Sequence, residues 1–141
     1  NSFCTLLPRT LSFANTMMKL FAVAFALLVA AALAAPVELT AENYESITSQ
    51  DEKVVLVKVY ADWCGHCKAL VGPYNEVADH FAGNDKVVIA KFNAPEHEDY
   101  ARNVLKIRSF PTIFVYRHGL KTDFEGERNK GSLIAAVEKA L

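Results

Sequence analysis

Apolar residues occur along this chain in two patterns, continuous runs and helical spacing, and together they predict alternating strands and helices. The run Val54–Tyr60 is apolar except for Lys58, as is typical of a parallel strand buried on both faces. Residues 64–81 instead place apolar side chains along one face of a helix. These are Leu70, Tyr74, Val77, Ala78 and Phe81. Because Pro73 lies inside this helix, a kink is expected there.

Shorter patterns extend this arrangement. The other predicted strands are Val37–Leu39, Val87–Phe92, Thr112–Tyr116 and Lys121–Phe124. The other predicted helices are 41–50, with Thr40 as its cap, Glu96–Leu105 and Ser132–Leu141. His118-Gly119 reads as a hairpin turn between the last two strands. The order of segments predicts an α/β fold, with a central sheet flanked by helices on both faces.

The N-terminal segment has a different composition. Met17-Met18-Lys19 precedes the apolar, alanine-rich run Leu20–Ala35, which is typical of a secretory signal peptide. The small residues Ala32 and Ala34 indicate cleavage after Ala34. We therefore expect a leader segment at 1–16, a signal peptide at 17–34 and one domain at 35–141. An uncleaved membrane anchor is the alternative, less favoured because the run is shorter than the ~20 residues of a spanning helix.

Charge and length narrow the classes of partner. The formal net charge is −1, with both signs mixed along the chain, so no basic stripe indicates nucleic acid. Residues 35–141 are enough for one compact core. We expect a small monomer, without stable membrane insertion after signal cleavage.

Two of the three cysteines carry the candidate chemistry. Cys4 lies in the leader, whereas Cys64 and Cys67 lie in Trp63-Cys64-Gly65-His66-Cys67, between the long strand and the long helix. A helix N-terminus at Cys64 would stabilise a thiolate through its unpaired N–H groups. Cys67, one turn further on, is then placed to resolve a mixed disulfide formed at Cys64.

Two other uses of this pair are less favoured. His80 lies at a zinc-finger interval from Cys67, but no histidine follows it at a spacing of three to five. A structural disulfide across two residues would constrain the unfolded chain little. We expect redox chemistry with no metal and no organic cofactor.

The segment from Tyr60 to Leu70, YADWCGHCKAL, resembles the active site of a protein disulfide isomerase domain. A second segment, Arg108-Ser109-Phe110-Pro111-Thr112, resembles the part of thioredoxin-fold proteins that carries a cis-proline facing the cysteines. The resemblance covers about Val37 to Leu141. It implies a thioredoxin-like fold with a mixed sheet.

The resemblance also assigns roles to the residues of both segments. It implies that Cys64 is the nucleophile, Cys67 the resolving thiol, and Gly65 and His66 the residues between them. Pro111 would shape the substrate groove, because a proline can be cis at modest cost and has no N–H. Trp63 and Phe110 would contact apolar client segments.

His66 influences the direction of the redox reaction. A partly protonated imidazole beside Cys64 stabilises the thiolate, so the disulfide becomes a good oxidant. A proline at this position would favour a reductant. No role is expected for His80, His97 or His118, since nothing pairs them with a cysteine.

Lys58 departs from the family pattern, because a buried acid usually stands six residues before the first cysteine. Burial would lower the pKa of Lys58 until its amine accepts a proton, or a charged Lys58 would favour the Cys67 thiolate. Alternatively, Lys58 extends to solvent and has no catalytic role. Arg128 is a second charged candidate: it matches an arginine that swings toward the second cysteine, unless Glu127 holds it away or it is a surface turn residue.

These observations predict a thiol–disulfide oxidoreductase and isomerase that acts on cysteine-containing client proteins. Glutathione or an oxidase would reset the cysteine pair. A thioredoxin-like reductant, a redox-independent chaperone or binding module, and a membrane-tethered oxidoreductase are the alternatives. We expect the protein in the secretory pathway, in the endoplasmic reticulum lumen or secreted. Residues 137–141 contain no K-D-E-L-type tetrapeptide, so retention and secretion both stay open.

Overall fold

The computed structural model of the protein describes residues 34–141. The predicted leader, Cys4 and all but the last residue of the predicted signal peptide lie outside this range. No helix within residues 34–141 has the length and apolarity needed to cross a bilayer.

Five strands and five α-helices follow one another along the described chain. In order they are β1 (Val37–Leu39), α1 (Tyr44–Thr48), β2 (Val54–Tyr60), α2 (Gly65–Ala69), α3 (Val71–His80), β3 (Val87–Asn93), α4 (Glu98–Asn103), β4 (Thr112–Arg117), β5 (Leu120–Asp123) and α5 (Lys130–Ala140). A short 3-10 helix, Ala94–His97, precedes α4.

The strands form one mixed sheet in the order β1-β3-β2-β4-β5. β1 and β2 both pair with β3 in parallel, while β4 runs antiparallel to β2 and to β5. β2 is therefore central, and six of its seven residues are buried. The predicted thioredoxin-like α/β fold with a mixed sheet is confirmed.

The two faces of the sheet pack against different helices. Val55, Val57 and Val59 of β2 belong to a core with residues of α1 and α4. Val54 and Leu56 belong to the opposite core, with Tyr74 of α3 and residues of α5. Alternate residues of a strand point to opposite faces, so Lys58 lies on the same face as Val54 and Leu56.

The predicted helix 64–81 is divided at Leu70 rather than only kinked. α2 ends at Ala69 and α3 begins at Val71. Pro73 explains the position of the break, since it cannot donate to the carbonyl of Ala69 and its ring opposes that carbonyl. All five predicted apolar residues of this region are nevertheless buried.

Two other helices are shorter than predicted. At α1, the Thr40 N–H donates to Asn43 Oδ1 (2.7 Å) and the Asn43 N–H to Thr40 Oγ1 (3.4 Å). This reciprocal pair closes a turn, so the helix begins at Tyr44. The predicted helix Glu96–Leu105 divides into the 3-10 turn and α4. The hairpin turn at His118-Gly119 is confirmed, with positive φ at both residues.

Candidate active site

Cys64 and Cys67 form a disulfide at the start of α2, with their Cα atoms 5.2 Å apart. Cys64 is the N-cap of the helix, and its Sγ accepts a hydrogen bond from the Cys67 N–H at 3.2 Å. A donor aimed at this sulfur favours its thiolate once the pair is reduced. Both residues are largely buried, with 7% and 3% of their surface exposed.

The Phe110–Pro111 peptide bond is cis, as the resemblance implies. Phe110 packs against the small cluster of Ala61, Cys64 and Cys67. Pro111 itself is buried. The cis-proline segment thus packs against the cysteine pair through Phe110.

Trp63 extends this surface into solvent. Its side chain is 72% exposed, and its ring meets that of Phe110 edge to face, with centroids 5.7 Å apart. Beside them lies a cavity of about 390 Å³, which is also lined by Ile107 and by the charged residues Glu98, Arg102 and Arg108. An exposed aromatic next to such a partly apolar recess can bind an apolar side chain of another protein.

The two residues between the cysteines face solvent. His66 and Gly65 are both exposed. A Cβ built at Gly65 would meet no atom within 4 Å, so the approach to the disulfide is open on this side.

Lys58 does not extend to solvent, since only 4% of the residue is exposed. Its Nζ lies 4.7 Å from the ring centre of Tyr74 and 5.4 Å from that of Tyr60. The pKa of Lys58 is lowered from its ordinary value of 10.5 to about 8. Burial is the main cause and the Lys91 ammonium adds to it, while the Glu38 carboxylate opposes both. A catalytic role for Lys58 stays a prediction.

Arg128 lies exposed in the loop between β5 and α5. Within residues 34–141 Glu127 makes no ion pair with Arg128; its Oε2 accepts from Asn129 Nδ2 at 2.8 Å instead. Packing explains why this segment contains a glycine, because a Cβ at Gly126 would lie 2.8 Å from the ring of Phe124. A role for Arg128 at Cys67 stays a prediction.

The other three histidines make the following contacts, each with a residue other than a cysteine. His97 stacks on Phe92, and His80 lies 3.9 Å from a carboxylate oxygen of Glu138. His118 accepts from Arg117 Nε at 3.2 Å. Within residues 34–141, no group of three or more His, Cys, Asp or Glu side chains could hold a metal ion.

Asn93 is a residue of the site that sequence reasoning missed. It ends β3, is 4% exposed, and its Nδ2 donates to Asp62 Oδ2 (3.0 Å) and to Glu96 Oε1 (2.7 Å). It thereby ties the loop before Cys64 to the sheet. Its position at the carboxyl end of a parallel strand was the available signal, since functional residues of α/β sheets collect at that edge.

Replacing Asn93 with alanine is expected to lower the free energy of unfolding by about 1–2 kcal/mol, because two charge-assisted hydrogen bonds are lost. Urea denaturation of the oxidised protein measures this. Asn103→Ala is the control: Asn103 is exposed at the end of α4, and its loss should stay within about 0.5 kcal/mol. Equal losses in the two variants would contradict the anchoring role.

Comparison with known proteins shows the family to which the chain is similar. Residues 35–139 match the protein family described as Thioredoxin. Protein disulfide-isomerase 1 of Caenorhabditis elegans is 42% identical over 93 residues, which is 64% of this chain and 19% of that protein. The chain thus spans about a fifth of the length of this relative.

Two solved structures have a fold similar to that of this chain. The human ERp44 zinc-bound form is 27% identical with a TM-score of 0.66, covering 74% of this chain and 31% of that one. The first thioredoxin domain of mouse Protein disulfide-isomerase A4 is 26% identical with a TM-score of 0.63, covering 72% of each chain.

Proposed function

Since the chain belongs to the thioredoxin family, we propose that it forms, reduces and rearranges disulfides in client proteins that are folding in the secretory pathway. The observation that carries this proposal is the Cys64–Cys67 disulfide at the start of α2, with the cis-proline segment packed against it through Phe110. Relatives named as protein disulfide-isomerases support it.

Disulfide donation proceeds in two exchanges. A client thiolate attacks Cys64 Sγ, which breaks the Cys64–Cys67 bond and releases Cys67 as a thiolate. A second client thiolate then attacks the client sulfur of this mixed disulfide and expels the Cys64 thiolate. The client gains one disulfide and the cysteine pair takes up two electrons. Glutathione or an oxidase then restores the disulfide of the pair.

Isomerisation begins from the reduced pair. The Cys64 thiolate attacks a wrong client disulfide, and the client sulfur that leaves can attack elsewhere in the same client. If the client stalls, Cys67 attacks Cys64 Sγ, re-forms the Cys64–Cys67 bond and releases the client as a thiolate. Both cysteines are therefore required for escape from stalled clients.

Other residues of the site hold the client or adjust the thiolates. Trp63 and Phe110 form the surface that an apolar client segment contacts, and the buried Pro111 shapes the groove from beneath through its cis peptide bond. His66, exposed beside Cys64, favours the thiolate when its imidazole is protonated. Lys58 acts on Cys67 by its charge, and Arg128 assists Cys67 if its loop brings the guanidinium inward.

The protein reaches its clients by entering the secretory pathway. Residues 1–16 are a leader, residues 17–34 are a cleaved signal peptide, and residues 35–141 act as a monomer in the endoplasmic reticulum lumen or after secretion. The alanine-rich apolar run after Lys19 supports this assignment. Its clients are cysteine-containing proteins, recognised by exposed apolar segments rather than by one sequence.

The reduction potential of the Cys64–Cys67 pair is expected at about −180 mV. The measurement equilibrates residues 35–141 in glutathione buffers of graded ratio, and quantifies free thiols by alkylation and mass. His66→Pro is the informative variant, because removal of the imidazole should make the pair more reducing. A wild-type value of about −270 mV would instead establish the reductant.

A further inference from the structure

A row of three charged side chains crosses the sheet at the level of Lys58. Strand pairing places Glu38 of β1 beside Lys91 of β3, and Lys91 beside Lys58 of β2. Paired residues of neighbouring strands point to the same face of a sheet. We call Glu38, Lys91 and Lys58 the charged row.

The charged row holds two ammonium groups and one carboxylate. Lys91 Nζ lies 2.6 Å from Glu38 Oε2, and these two side chains are 33% and 46% exposed. Lys58 is buried, and the described part of the chain gives it no ion pair. Burial disfavours the charged form of Lys58 most, repulsion by Lys91 adds to this, and attraction by Glu38 opposes both.

Tyr60 connects the charged row to the cysteine pair. Its hydroxyl donates to Glu38 Oε1 at 3.2 Å, and the ammonium groups of Lys58 and Lys91 lie 5.4 and 5.8 Å from its ring centre. The same side chain packs against the cluster that contains Cys64 and Cys67. Tyr60 therefore contacts the charged row on one side and, on the other, the cluster of Ala61, Cys64 and Cys67.

We propose that Glu38 is a positioning residue that keeps Lys58 protonated and thereby stabilises the thiolate formed at Cys67 when a client is released. This inference rests on the function proposed above. In the step concerned, Cys67 loses its thiol proton to solvent, attacks Cys64 Sγ and expels the client sulfur as a thiolate. The positive charge of Lys58, next to Tyr60, favours loss of the thiol proton of Cys67.

No other group that faces Lys58 can replace Glu38. From α3 it meets Tyr74, whose phenol stays protonated because burial raises its pKa. On β4, the residue paired with Lys58 is the apolar Ile113. On α5, the residues that pack on this side of the sheet are the apolar Leu133 and Val137. Among the described residues near Lys58, the carboxylate is supplied by Glu38.

The test is an NMR titration of the Lys58 side chain in oxidised, client-free protein labelled with carbon-13 in its lysines. The Lys58 signal is identified by its absence from Lys58→Met. We expect Glu38→Gln to move the titration to lower pH and Lys91→Gln to move it to higher pH, because the two changes remove charges of opposite sign. Glu38→Asp should restore the wild-type midpoint.

A matched control is available in a second ion pair. Glu76 lies 3.0 Å from Lys130 Nζ, and both side chains are about half exposed. Glu76→Gln removes the same charge from the surface and should leave the Lys58 titration unmoved. Shifts of Glu38→Gln and Lys91→Gln in the same direction, or no shift in either, would overturn the inference.

The kinetic readout follows the release of a client from the mixed disulfide across pH. In Glu38→Gln the release rate should fall by about threefold at pH 8, while Lys91→Gln should keep it high to more alkaline pH. If wild-type protein exchanges no disulfides, the proposed function fails even though the titration stands. If exchange is normal and the variants release clients as wild type does, only the role of Glu38 fails.

Discussion

Replacing Cys64 with serine is expected to abolish disulfide exchange, with a loss of at least about 1,000-fold in rate. A serine hydroxyl stays protonated at neutral pH, whereas the thiolate is the species that attacks and is attacked. The hydrogen bond from the Cys67 N–H to Cys64 Sγ shows that the structure is built to stabilise this sulfur. The assay is the reactivation of a scrambled, disulfide-bonded client such as ribonuclease.

Cys67→Ser should behave differently, because it retains the nucleophile and loses only the resolving thiol. It should accumulate a mixed disulfide with the client, visible on a non-reducing gel. Cys4→Ser in the full chain is the control and should exchange disulfides as the wild type does. If a Cys64→Ser, Cys67→Ser protein assisted refolding of the client undiminished, the protein would be a redox-independent chaperone instead.

Lys58→Met is expected to raise the free energy of unfolding at pH 7 by about 2 kcal/mol, even though it removes a charged group beside the site. A buried ammonium without an ion pair costs more to desolvate than its contacts with aromatic rings return. Methionine has a similar length and no charge, so it can fill the space between Tyr60 and Tyr74.

The same residue should govern the dependence of stability on pH. The pKa of Lys58 is about 8 in the folded protein and 10.5 ordinarily. Between these values the folded state has lost a proton that the unfolded state keeps, so stability rises with pH, by about 2 kcal/mol from pH 7 to 10. Above about pH 10 the partly buried Tyr60 and the buried Tyr116 oppose this rise, since their pKa values are raised to about 12.

Urea denaturation of the oxidised protein from pH 7 to 10 measures both effects. The wild type should show the rise, and Lys58→Met should start higher and stay flat. Lys86→Met, at an exposed position before β3, should keep the rise. A rise that persists in Lys58→Met would mean that another group controls it. The same variant, assayed for client release, shows whether the charge of Lys58 contributes to the reaction of Cys67.

Most of the fold follows from local patterns. β2 was predicted at its full length, because a central strand must be apolar on both faces. The hairpin at His118-Gly119 follows from residues that accept positive φ. Helix boundaries were less accurate. The turn closed by Thr40 and Asn43 and the break before Pro73 depend on competing local hydrogen bonds that hydrophobic spacing does not register.

The residues of the candidate site also differ in whether local sequence patterns predict them. The cysteine pair, its place between a strand and a helix and, by resemblance, the cis-proline segment could be predicted because contiguous residues encode them. The burial of Lys58, its register with Glu38 and Lys91, and the hydrogen bond from Asn93 to Asp62 became visible only in the folded chain. These contacts join residues far apart in sequence, and their geometry is set by strand order and register, which local patterns leave undetermined.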